Sequence, residues 1–146
     1  MTTLLYRPDW ESARERLTTW WNGGDIGRPV MQITVPRAEP WEEIPALPEP
    51  AGWITDYSTR DLDYHVNVQL RGVVSGEGFG EAAPNTIPGT LAPNCLALYL
   101  GCQGVESPGT VWCEPFLDQP EPPAFRYDPD NFYWRFSREA IRRTLE

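Results

Sequence analysis

Apolar positions recur at three-and-four spacing in three stretches of the chain and run almost unbroken in a fourth. Trp10, Ala13, Leu17, Trp20 and Trp21 share one stripe, with Asp9 before them as a cap and Gly23-Gly24 after them as a stop, which predicts a first helix over 9–22. Pro29-Val-Met-Gln-Ile-Thr-Val35 is β-branched and nearly all apolar until Pro36, and predicts a strand over 29–35 covered on both faces, with Gln32 and Thr34 pointing the same way. Leu62, Val66, Leu70 and Val73 form the stripe of a helix over 58–74 capped by Ser58 or Thr59, with His65 beside the stripe as a packing histidine. Phe132, Tyr133, Phe136, Ala140 and Ile141 continue a terminal helix over 129–146, with Asp128 as its cap and Pro129 in its first turn. This helix is still amphipathic where the sequence stops, with no Gly, Asn or Pro to end it. The expectation is therefore a piece of a longer chain, with a natural carboxy-terminal helix as the alternative.

Between these segments the chain is punctuated. Pro36, Pro40, Pro45, Pro48 and Pro50 make residues 36–58 a proline-rich excursion. Gly76, Gly78, Gly80, Pro84, Pro88 and Gly89 mark a glycine-rich loop over 76–89, whose alternating glycines let backbone approach a ligand or a second segment closely. A short helix over 94–100 ends at Gly101, a short strand runs from Thr110 to Pro115, and a second proline-rich excursion covers 118–125.

Composition narrows the functions open to such a chain. Its 146 residues suit one domain. Twelve Gly and sixteen Pro stay short of a low-complexity composition. All the basic residues are arginines, so chemistry that needs a lysine amine is excluded within this sequence. The net charge of -9 is concentrated in the middle: residues 39–125 hold thirteen acids against Arg60 and Arg71. An acidic middle disfavours nucleic acid as a partner and reads first as a solvated surface. No apolar run reaches membrane-helix length and the amino terminus has no secretory pattern, so the expected setting is cytoplasmic, without a membrane partner. Cys95, Cys102 and Cys113 lack a CxxC spacing and are odd in number, which favours buried thiols over disulfides or a metal site.

Several short motifs fall in an ordered series: Trp20-Trp21-Asn22-Gly23, Gly27-Arg28-Pro29-Val30, Val35-Pro36-Arg37, Gly80-Glu81-Ala82-Ala83-Pro84-Asn85, Gly101, Thr110-Val111-Trp112 and Asp128-Pro129-Asp130-Asn131. The series resembles the amino-terminal part of uncharacterised members of the uroporphyrinogen decarboxylase-like superfamily, which includes corrinoid-dependent methyltransferases. The resemblance implies an α/β fold, the amino-terminal portion of a TIM-type (β/α)8 barrel with proline-rich loop excursions, as a single partial domain over 1–146. Such a barrel needs about 250 residues, so this chain would supply only its leading part and would be inactive alone. The resemblance implies a parent enzyme, decarboxylase-like or methyltransferase-like. That parent would act on a small-molecule substrate, with zinc and a corrinoid, or a corrinoid protein as partner. The methyltransferase zinc is held by His and Cys in the later part of the barrel, and no residue here matches that motif. The arginine-rich substrate motif of the true decarboxylases is also missing. Uncovered barrel surfaces would favour self-association.

Within that frame Arg37 follows the strand at its carboxyl end, where barrel sites lie, and can clamp a substrate carboxylate, unless it pairs with Glu39, Glu42 or Glu43. Glu81 is the catalytic candidate and Asn85 its substrate-binding neighbour: a carboxylate that can accept a proton and an amide that can orient a hydroxyl, on a loop loosened by glycine. The alternative is a loop held by its own side chain to backbone bonds. Trp112 and Glu114 point to one face of their strand, able to stack and hydrogen-bond a ring, or else form a core tryptophan and a surface acid. A competing class is an acidic, aromatic-rich carbohydrate-binding or interaction module without catalysis, which the helical stripes disfavour.

Overall fold

The computed structural model describes residues 4–83, 85, 91–93, 95–117 and 127–145, the side chain of Leu145 excepted. Pro84, Pro88, Gly89, Asn94, the excursion over 118–125 and Glu146 lie outside the described residues. The chain divides into two compact units, Met1–Pro45 with Leu70–Thr86 and Ala46–Gln69 with Ile87–Glu146.

In the first unit, helix α1 (Trp10–Trp21) closely matches its expected span. Ala13 is fully buried, whereas Trp21 at the far end is 79 % exposed. Asp9 precedes the helix without capping it through its side chain, because its carboxylate lies 3.0 Å from Arg7 Nε. Strand β1 (Gln32–Pro36) starts three residues later than expected. It pairs antiparallel with β2 (Gly76–Gly80), in register from Gln32 opposite Gly80 to Pro36 opposite Gly76. Two expectations change here. The segment 76–80, read as the start of a glycine-rich loop, is a strand. And β1, expected to be covered on both faces, is exposed at all five residues. Ile33 faces Phe79 across the ladder and both stand in solvent.

The alternating glycines explain how β2 exists at all. A Cβ on Gly78 would sit 3.2 Å from both the Ala82 carbonyl and Arg7 Nη1, so the bare backbone is what lets these groups close in. At Gly80, φ is +64° and a Cβ would strike the Met31 carbonyl, so only glycine is unstrained there. Helix α2 (Leu62–Val74) leads into β2. Its cap is Asp61, whose Oδ1 accepts the Tyr64 N–H at 3.0 Å, rather than Ser58 or Thr59, which bond to Glu106 instead.

In the second unit, α3 (Cys95–Tyr99) precedes a hairpin of β3 (Gln103–Ser107) and β4 (Thr110–Glu114) closed by Pro108-Gly109, with Gly109 at φ +81°. Strand β3 was not expected from the sequence. Leu91, Leu98 and Val111 form the apolar core, with Tyr57, Cys95, Tyr99, Cys113, Tyr133 and Phe136 packed on it. Helix α4 (Phe132–Leu145) begins three residues later than expected. The reason is a two-step start: Asp128 Oδ1 accepts the Asp130 N–H in an Asx turn, and Asn131 Oδ1 then caps the helix through the Trp134 N–H. Asn131 also donates to the Leu98 carbonyl, and Tyr99 donates to Ser137 at 2.8 Å. His65 is buried with its Nε2 against the Ser58 carbonyl, between the rings of Trp53 and Phe136. The three cysteines form no disulfide and are half-buried, and burial pushes the Cys113 thiol up, with Cys102 and Cys95 adding to the shift. Among the described residues, no helix is long and apolar enough to cross a membrane.

Candidate functional site

Glu81 follows directly on β2, and its side chain is completely buried. A bare carboxylate there would be costly, and the chain compensates it with cations from far upstream. Oε1 accepts from Arg16 Nε at 2.8 Å and from Arg28 Nη2. Oε2 accepts from Arg28 Nη1 and from the Met31 backbone N–H, each at 3.0 Å. The preceding Gly80 carbonyl is held in turn by Arg16 Nη2 at 3.1 Å and Arg7 Nη2 at 2.8 Å. Three arginines thus converge on two consecutive residues. Helix α1 carries Arg16, the loop before β1 carries Arg28, and the segment before α1 carries Arg7.

The electrostatic consequence is a carboxyl held at about 2, well below its ordinary 4.5. The hydrogen bond from Arg28 lowers it most, burial opposes that, and Arg16 and the Met31 N–H lower it further. Such a group is ionised throughout the physiological range. Both its oxygens are already occupied by donors, leaving poor access for a substrate proton. The structure therefore places Glu81 as an ionic anchor: it fixes α1, the 28–31 segment and the end of β2 to one another. The carboxylate expected to accept a proton is, in this structure, saturated by its neighbours.

Arg37 is engaged elsewhere. Nη1 lies 3.1 Å from Glu77 Oε2, Nε donates to the Glu39 carbonyl at 2.9 Å, and the guanidinium carbon sits 4.0 Å above the Trp41 ring. Its carboxylate partner is thus on β2 rather than among Glu39, Glu42 and Glu43. Asn85 is exposed and is not one of the groups bonded to Glu81. Trp112 and Glu114 do share one face of β4, and that face is open: Trp112 is 63 % exposed, which rules out a core tryptophan here. They belong to the second unit, whereas Arg37, Glu81 and Asn85 belong to the first.

Sequence reasoning missed Arg7, Arg16 and Arg28 as site residues. The only sequence signal was the Gly27-Arg28-Pro29 motif, which carried part of the resemblance without revealing its partner. Among the described residues, no group of three His, Cys, Asp or Glu side chains could hold a metal ion. No protein-family model, no curated protein and no solved structure matches this chain.

Proposed function

We propose that this chain is the amino-terminal portion of a uroporphyrinogen decarboxylase-like barrel enzyme and that it has no turnover by itself. The observation that carries this reading is the β1–β2 ladder. Ile33, Val35 and Phe79 are large apolar residues on one face of the ladder, and all are exposed. Leaving such a face in water forfeits roughly 1.5–3 kcal/mol for each side chain that could be buried. Further strands and helices of a barrel would supply the cover. Because β1 and β2 pair antiparallel, this ladder lies outside the parallel barrel sheet on this reading, with Arg37 just after β1 and the Glu81 anchor holding the first helix against that strand. The substrate is a small molecule. On the resemblance, the zinc and the corrinoid of the methyltransferase branch are assigned to the parent rather than to this chain.

Sedimentation velocity together with a dye that reports exposed apolar surface tests the proposal. Concentration-dependent self-association with strong dye binding is expected. A sharp monomer that melts cooperatively and binds no dye would contradict it, as would decarboxylase or methyl-transfer turnover by the purified chain.

A second reading has its own observation. Trp112 and Glu114 are both exposed on one strand face, the arrangement with which an aromatic platform and a carboxylate take a sugar ring. Saturable quenching of Trp112 fluorescence by an oligosaccharide, lost in Trp112→Ala, would favour a carbohydrate-binding module over the barrel.

A further inference from the structure

A small cavity of about 330 Å3 opens between the segment before α1 and strand β2, within the first unit. Its most unusual lining residue is Arg7. The side chain is only 5 % exposed, yet among the described residues its five N–H donors make a single hydrogen bond, Nη2 to the Gly80 carbonyl. Nε is buried and lies 3.0 Å from Asp9 Oδ1, but out of line for a hydrogen bond. Asp9 itself is 60 % exposed at its side chain. A buried guanidinium with spare donors, paired imperfectly to a carboxylate that can swing into water, has the features of an anion site partly filled by the protein's own side chain. Gly78 keeps the approach open, because a Cβ there would press on Arg7 Nη1.

The rest of the lining narrows the ligand. Tyr6 and Phe79 offer ring surface, which suits an apolar or aromatic body, while Trp41 already carries the Arg37 guanidinium on one face. Asp9 brings negative charge to the same cavity, where Glu77 is already paired with Arg37, and that charge repels a dianion more strongly than a monoanion. We propose that this cavity binds a small monocarboxylate with an apolar body, its carboxylate forked on Arg7 in the place that Asp9 now holds. The proposal does not rest on the barrel reading, since every residue it uses lies in one unit.

Benzoate, acetate and inorganic phosphate serve as probes, followed by calorimetry and by the NMR signal of the Arg7 Nε–H. Saturable benzoate binding that shifts this signal is expected, with acetate weaker and phosphate weakest. Because Asp9 competes for Arg7, Asp9→Asn should tighten benzoate by about fivefold, the equivalent of removing one competing surface ion pair. Arg7→Gln should abolish binding. Since Arg7 also holds Gly80, that variant can lose its fold, and the gain in Asp9→Asn carries the decision in that event. Absence of saturable benzoate binding, unchanged or weaker binding in Asp9→Asn, or phosphate outcompeting benzoate would each overturn the proposal.

Discussion

The two ladders of this protein have the same length, five residue pairs each, and are held by different physics. β3 and β4 are joined by a two-residue turn, so their pairing is local and costs little chain entropy. Val111 on their inner face is buried in a core with Leu91 and Leu98, and the Tyr133 hydroxyl accepts the Gly104 N–H at 2.8 Å. β1 and β2 are separated by all of residues 37–75, and their apolar face is exposed. What fastens that ladder is the Glu81 carboxylate, which draws Arg16, Arg28 and the Met31 N–H to the end of β2. The local hairpin rests on apolar contact and a hydroxyl bond to its backbone. A long-range pair without an apolar cover depends here on a buried charge that must keep its partners.

The largest way to break this contrast is Glu81→Ala. It strands two guanidiniums beside a vacated buried site, and the expected cost is about 3–5 kcal/mol. The loss should show in hydrogen exchange as faster exchange of the Met31 and Glu81 amides before any change in β3–β4. Leu98→Ala inverts the pattern. A fully buried leucine is removed from the core under the hairpin, for an expected loss of about 2–5 kcal/mol read by denaturant melts, with the β3 and β4 amides the first to exchange.

Acid sharpens the comparison further. The Glu81 carboxyl is held at about 2 in the folded chain against an ordinary 4.5, so its stabilisation is complete above 4.5 and is lost as the pH falls towards 2. Melts between those values should therefore weaken progressively in wild type, and Glu81→Gln should flatten that part of the dependence. The smallest effect is expected from Trp112→Ala, which removes an exposed ring and should change stability by no more than about 0.5 kcal/mol in the same melts.

How much of this was legible beforehand depended on the distance over which each feature is determined. Helices α1, α2 and α4 follow from stripes within a single segment, and only their starts moved. α2 and α4 begin later because Asp61 and Asn131, not the earlier polar residues, hold the first free N–H groups. Strand β2 was hidden because Gly76, Gly78 and Gly80 read as breakers, whereas their bareness is what Arg7 and the Met31 carbonyl require. Strand β3 was overlooked although Pro108-Gly109 is a turn signal between two short alternating runs.

The site divided in the same way. Glu81 stood out for its setting among glycines, but its partners lie 65 and 53 residues away, and nothing local joins them. For Arg37 the neighbouring acids Glu39, Glu42 and Glu43 are the obvious carboxylate partners in sequence, whereas strand pairing brings Glu77 beside it. The shared face of Trp112 and Glu114 was readable from strand alternation, while the openness of that face depends on packing, which no single segment encodes.

The titration of the Glu81 side-chain carboxyl, followed by its 13C NMR shift from pH 1.5 to 7, tests most directly whether a buried ionic anchor fastens β1–β2. A midpoint near 2, with the Met31 amide shifting in step, is the expected result. A midpoint at or above 4.5 would contradict it, because a carboxyl that titrates there is not held by Arg16 and Arg28.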